Sequence, residues 1–216
     1  MELTAPETRA LGCLLEKQLA TPNLYPLTLN SVVAACNQSS NREPVVAYDD
    51  HEVAAALAGL REKGVARIVY GSGQRAEKYR HVLDEVWGLD DQHRSVFAVL
   101  MLRGPQTVGE LRARTERLAR FDSLGEVEQV LRLLATREEP LARRLERAPG
   151  QKEARWVELF SGEAAAAEAA AWAEDGGGSE PPRASALDIL REEVAGLRAE
   201  VAELRSFVED LRTLLD

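Results

Sequence analysis

Two runs of the same element order predict a mainly α-helical protein with small β-hairpins, an α+β fold. Residues 1–85 and 86–160 each read as three helices followed by a two-stranded hairpin, which is the order of a winged-helix domain. A heptad pattern at the end of the chain predicts a coiled coil. The expected organisation is two tandem winged-helix domains at 1–85 and 86–160, an Ala-rich and Gly/Pro linker at 161–186, and a coiled-coil helix at 187–216.

The first helix begins at Thr4, where Thr-Ala-Pro-Glu offers a capping box of Thr4 with Glu7 and a proline in the first turn. Leu11, Leu14, Leu15 and Leu19 form its buried stripe. The turn signal Thr21-Pro22-Asn23 leads into the stretch 25–44. There Pro26 holds its neighbours extended, Thr28 caps the amides that follow, and Leu29, Val32, Val33 and Cys36 recur on one helical face. The polar run 37–42 ends this helix. A third helix opens at Asp49 with Glu52 three residues on, buries Val53, Leu57 and Leu60, and stops at Lys63-Gly64. Its outward face reads as Ala55, Ala58 and Gly59. Strands at 65–70 and 78–82 flank the turn Gly71-Ser72-Gly73.

The order then repeats. Asp90 or Asp91 caps a helix carrying Val96, Val99, Leu100 and Leu102, which Gly104-Pro105 breaks. Thr107 with Glu110 forms a second capping box, opening a helix that buries Val108, Leu111 and Leu118. Ser123 with Glu126 forms a third, ahead of Val127, Val130, Leu131 and Leu134. Strands follow at 141–147 and 154–160. The hairpins also match by residue: Gly73-Gln74-Arg75-Ala76-Glu77-Lys78-Tyr79 parallels Gly150-Gln151-Lys152-Glu153-Ala154-Arg155-Trp156.

Residues 163–173 are nearly all alanine and glutamate, and Gly176-Gly177-Gly178-Ser179-Glu180-Pro181-Pro182 reads as a linker. Beyond it Leu187, Val194, Val201, Val208 and Leu215 fall at heptad a, and Leu190, Leu197, Leu204 and Leu211 at d. Arg191, Arg198, Arg205 and Arg212 occupy e, while Glu193 and Glu200 occupy g. In a parallel pair each of these glutamates meets the following arginine of the partner strand, whereas an antiparallel pair opposes like charges. The expected state is a parallel homodimer with a seam of roughly 43 Å at about 1.5 Å per residue. A helix folded back onto its own domains is the alternative.

The net charge of -9 is unevenly spread. Residues 1–85 carry 9 Lys+Arg against 11 Asp+Glu, 86–160 carry 13 against 12, and 161–216 carry 5 against 13. Neither domain is basic enough to announce a nucleic-acid binder by charge alone. Cys13 and Cys36 lie on apolar helix faces and read as buried thiols rather than a disulfide. With no basic and apolar leader and no apolar run near the ~20 residues that span a bilayer, a soluble cytoplasmic protein with no membrane partner is expected.

Tyr25-Pro26-Leu27-Thr28-Leu29-Asn30, Ala35-Cys36-Asn37-Gln38 and Asn41-Arg42-Glu43-Pro44 resemble motifs of the bacterial YceH family. So do Leu102-Arg103-Gly104-Pro105-Gln106-Thr107, Gly109-Glu110-Leu111-Arg112 and Pro149-Gly150-Gln151-Lys152-Glu153-Ala154-Arg155. The resemblance covers roughly residues 2–159 and implies a tandem winged-helix fold. It brings no activity or binding residue with it, and it leaves the homodimer resting on the heptads.

Convergent catalytic groups are absent from the pattern. His51, His81 and His93 lack the spacing of a metal site and read as surface or capping residues, and no glycine-rich phosphate loop follows a strand. A non-enzymatic binding protein without cofactor or metal is expected. One reading is a transcription-regulator type that contacts double-stranded DNA through Arg75 and Lys78, Lys152 and Arg155 in the wings and the stripe Arg112, Arg114, Arg117 and Arg120. The other is a protein-interaction scaffold, favoured by Asp49, Asp50 and Glu52 at the start of the third helix. Asn37, Gln38, Asn41 and Arg42 are either a hydrogen-bonded turn or a polar recognition surface.

Overall fold

The computed structural model describes residues 1–70, 76–147, 153–162 and 194. The elements of the N-terminal half are α1 (Ala5–Ala20), β1 (Leu27–Thr28), α2 (Leu29–Cys36), α3 (Asp50–Glu62), β2 (Ala66–Val69), β3 (Lys78–His81) and α4 (Leu83–Trp87). The C-terminal half has α5 (Asp91–Arg103), α6 (Val108–Thr115), α7 (Leu124–Ala135), β4 (Ala142–Arg144) and β5 (Trp156–Glu158). The protein is thus mainly helical with small antiparallel sheets.

Local hydrogen bonds start most of the helices. The Thr4 hydroxyl accepts the Glu7 amide and the Glu7 carboxylate accepts the Thr4 amide, and the same reciprocal pair joins Asp49 to Glu52 and Thr107 to Glu110. At α7 the Ser123 hydroxyl accepts the Glu126 amide, but the Glu126 carboxylate accepts from Asp122 instead, at 3.0 Å. Gly64, at φ 72°, ends α3 in the left-handed region that glycine adopts without strain.

In the first sheet β3 is central, with Leu27 of β1 and Ile68 of β2 both opposite Tyr79. In the second, β4 pairs with β5 so that Ala142 faces Glu158, and Gln106 bridges the free side of β5 through Gln106 N to Trp156 O at 3.0 Å and Trp156 N to Gln106 O at 2.7 Å. Gln106 therefore stands to β5 as β1 stands to β3. Neither short partner, nor the five-residue α4, has enough length to show a hydrophobic period.

One core serves both halves. Every residue from Glu7 to Leu15 of α1 is buried, because α2 and α3 pack on one side and α5 on the other. Helix α5 is likewise buried from Ser95 to Leu102, against α1, α6 and α7. The two long helices approach closely at Gly12, where a Cβ would stand 3.0 Å from Leu102 and Met101. Phe160 closes the bottom, with its ring 5.1 Å from Phe97 at 74° and 5.0 Å from Trp87. Leu3 N donates to Phe160 O at 2.6 Å, so the start of α1 is strapped to the end of the second sheet. Fully buried Phe97 is worth roughly 3–5 kcal/mol against alanine. Cys13 and Cys36 are buried free thiols, and contact with Cys13, together with burial, pushes the Cys36 thiol far up.

Residues Met1–Gly177 form one compact unit and Gly178–Asp216 a second. Of the heptad positions only Val194 is described, helical and exposed. The rest of the proposed coil (Leu187, Leu190, Leu197, Val201, Leu204, Val208, Leu211 and Leu215), the linker, the turn Gly71-Ser72-Gly73, Arg75 and Lys152 lie outside the described residues. Among the described residues no helix is long and apolar enough to cross a membrane.

Candidate nucleic-acid interface

The polar exit of α2 is used inside the fold. Asn37 Nδ2 donates to Tyr48 O at 2.7 Å and its Oδ1 accepts Tyr48 N at 2.8 Å, clipping the loop that leads to α3. Asn41, at φ 56°, accepts Arg103 Nη1 on its Oδ1 at 2.7 Å. Arg42 is only 3% exposed. Its Nε donates to Ala35 O at 3.0 Å, Nη1 to Asn41 O and Glu16 Oε1, and Nη2 to Glu16 Oε2 at 2.6 Å and Gln38 Oε1 at 2.7 Å. Those bonds occupy all five guanidinium donors. Burial alone would raise the Glu16 carboxyl, but the Arg42 charge and hydrogen bonds hold it below the usual carboxylate range. Of the two expectations for Asn37, Gln38, Asn41 and Arg42, the hydrogen-bonded turn accounts for these bonds. A recognition role is corrected for Arg42, a buried rivet between α1 and α2 that the partly buried Gln38 braces, while Asn37 holds the loop and Asn41 stays exposed.

The arginine stripe divides because α6 ends at Thr115. Arg112 and Arg120 flank a cleft of about 690 Å3 floored by Ala113, Phe121 and Leu124. Arg120 Nε donates to Asp122 Oδ1 at 2.8 Å with its side chain 90% exposed, and Arg112 Nη2 reaches Asp122 O at 3.4 Å. Arg117 is exposed on the same turn between α6 and α7. Arg114 lies on the other flank of α6, half-buried. The outward face of α7 carries exposed Gln129 and Arg132, the latter 3.1 Å from Glu128.

The wing residues also change roles. Arg155 donates Nη1 to Glu110 Oε2 at 2.7 Å and to Pro105 O at 3.0 Å, and Nη2 to Glu110 Oε1 at 3.2 Å. At 16% side-chain exposure it is a bidentate brace for the start of α6, not an open phosphate contact. Lys78 is partly buried within β3, opposite Thr28 and Val69, rather than at a hairpin tip. In the same sheet Arg67 and Arg80 are neutralised by Glu85 and Asp84 of α4, at 2.6 to 3.6 Å. The second hairpin instead exposes Arg144 and Arg147, which the wing reading missed although the run Leu-Ala-Arg-Arg-Leu-Glu-Arg advertises them.

The first turn of α3 is acidic at Asp50 and Glu52, and Ala55 and Ala58 are exposed. Gly59 is not part of that face. It lies against α1, where an added Cβ would collide with the Glu7 carboxylate that binds Lys63 Nζ at 2.5 Å. His81 departs from the surface position expected of it, though it does accept the first amide of α4. Its side chain is 0% exposed, Nδ1 accepts Leu83 N at 3.2 Å and Nε2 meets Gln18 Oε1 at 2.5 Å. His93 does brace the start of α5, through Asp90 at 2.7 Å. Among the described residues no group of three or more His, Cys, Asp or Glu could hold a metal ion.

A family model described as "Protein of unknown function, DUF480" matches residues 3–151. A "UPF0502 protein" of Geobacter metallireducens is 51% identical over 190 residues, covering 88% of this chain and 83% of that one. A second, from Geobacter sulfurreducens, is 54% identical over 157 residues, 73% of this chain and 71% of its own. A third, from Solibacter usitatus, is 47% identical over 197 residues, 91% of this chain and 93% of its own, so that likeness runs past the family model into the tail.

Proposed function

The chain belongs to this family, and from that premise we propose that it is a non-enzymatic, cytoplasmic DNA-binding protein of the transcription-regulator type, built from two tandem winged-helix domains. The observation that carries the reading is the arginine edge around the turn between α6 and α7, next to a helix whose outward face is polar. The winged-helix element supports it because each half runs helix, strand stub, helix, helix, hairpin, with the stub beside the last strand. In that geometry α7 enters the major groove with Gln129 and Arg132, while Arg112, Arg117, Arg120, Arg144 and Arg147 meet phosphates. The first domain, with acids at the start of α3 and Arg67 and Arg80 of its sheet paired with α4, supports the second domain. A parallel homodimer through 187–216 presents two such surfaces to one duplex.

A second reading, a protein-interaction scaffold, is favoured by the apolar floor of the Arg112–Arg120 cleft, where Leu124 is 49% exposed. Fluorescence anisotropy with a labelled random duplex at increasing salt separates the two. Phosphate neutralisation gives a negative slope of about 0.9 per contact in log K against log salt, and replacing Arg112, Arg120 and Arg144 by glutamine reduces the number of contacts by about one each. Absence of binding at low salt, or a triple variant indistinguishable from the parent, rejects the DNA reading and leaves the scaffold.

A further inference from the structure

On the flank of α6 away from the cleft, the guanidinium groups of Arg103, Arg114 and Arg155 lie within electrostatic reach of the carboxylates of Glu43 and Glu110. Arg155 is held by both oxygens of Glu110. Arg103, at the end of α5, gives Nη1 to Asn41 at 2.7 Å, while its Nε is buried without a partner. Arg114 stands one helical turn beyond Glu110 on the same flank, half-buried, and no described residue offers it a hydrogen bond or an ion pair. The second acid, Glu43, is exposed on a loop strapped to α5 by Glu43 N to Leu102 O at 2.8 Å. Burial, and then the adjacent Arg103, bring the Arg114 guanidinium down to about 10.

We propose that Arg114, with Arg103 beside it and the Arg155–Glu110 pair behind it, is a binding site for a phosphate group. Three positive charges against two negative ones leave the cluster one anion short. A guanidinium keeps its proton under nearly all conditions, so it cannot relieve like-charge crowding by neutralising itself and gains by taking up a counter-ion. The donors open to it come from two elements, Arg103 Nη2 at the end of α5 and the Arg114 guanidinium in the middle of α6. Donors converging from two directions suit a tetrahedral oxyanion better than a flat carboxylate, which one planar fork would satisfy. Phosphate can arrive on the DNA backbone or on a free phosphorylated molecule, and the site itself does not depend on the DNA reading.

The test is thermal unfolding of the full chain in sodium phosphate and in sodium chloride of equal ionic strength. Phosphate at tenfold its Kd raises the Tm of the parent and of Arg67→Gln, whose residue pairs with Glu85 in the first sheet, by about 4 °C over chloride, and leaves Arg114→Gln unmoved. Arg114→Lys, which keeps the charge and loses the planar fork, shifts less than the parent. No excess over chloride, or equal shifts in the parent and Arg114→Gln, overturns the proposal. A labelled duplex then identifies the source. Weaker DNA binding by Arg114→Gln points to the backbone, and unchanged DNA binding with the phosphate shift lost points to a free phosphorylated ligand.

Discussion

Lowering the pH from 6.5 towards 4 destabilises this protein through His81. The side chain is 0% exposed on the last residue of β3, where its backbone N–H donates to Tyr25 Oη at 2.8 Å. Nδ1 accepts the Leu83 amide, so Nε2 carries the proton and donates to Gln18 Oε1, an oxygen that also accepts Arg94 Nη1 at 2.8 Å. Burial is the main cause that lowers its pKa to about 4. Asp84, with Oδ1 3.7 Å from Nδ1, opposes it, and Arg94 and Arg80 add to it. As the pH falls below about 6.5 the unfolded chain binds a proton here and the folded chain does not. The contribution of neutral His81 is therefore complete above 6.5 and is lost as the pH falls to about 4. A difference of about 2.5 pH units at about 1.36 kcal/mol each is roughly 3 kcal/mol, with a steepest slope near 1.4 kcal/mol per pH unit. Urea unfolding between pH 7.5 and 4, on the parent and on His81→Gln, isolates this group from Glu7, Glu16, Asp90 and Glu158, which titrate in both proteins. The variant's stability curve loses up to one proton of uptake in that window, and the parent's His81 ring signals stay unchanged in NMR down to about pH 5. An imidazole that titrates near 6.5 in the folded protein, or identical slopes in the two proteins, refutes the reasoning.

Replacing Arg42 by methionine leaves the largely buried Glu16 carboxylate with only Lys17, 3.7 Å away, and costs about 3 kcal/mol, measured by urea unfolding at pH 7. Adding Glu16→Met recovers most of that loss, and a single variant within about 1 kcal/mol of the parent contradicts the rivet. For the coiled coil, sedimentation velocity compares the full chain with one cut after Phe160. A dimer that becomes a monomer on cutting supports the heptads, whereas a cut chain that stays dimeric places the dimer contact elsewhere.

Much of the architecture was legible along the chain because its causes are local. Thr4 with Glu7, Asp49 with Glu52 and Thr107 with Glu110 close hydrogen bonds across three residues, so each helix start is written where it occurs. The stripe Val53, Leu57, Leu60 and the stripe Val127, Val130, Leu131, Leu134 are buried as their spacing implies. The candidate site was legible only in part, because whether a charge is available depends on a partner that spacing cannot reveal. Arg42 meets Glu16 across 26 positions and Arg155 meets Glu110 across 45, so two apparent surface cations are internal braces. Arg112 and Arg114, two residues apart on α6, face opposite flanks, and the end of α6 at Thr115 leaves Arg117 and Arg120 on the turn that follows, so what reads as one stripe is divided. The order of the elements was set by short-range bonds and hydrophobic period, which a single strand of residues carries. Which arginines remain open to a partner was decided by packing the exit of α2 against α1 and the segment before β5 against the start of α6, where carboxylates and carbonyls from distant segments reach them first.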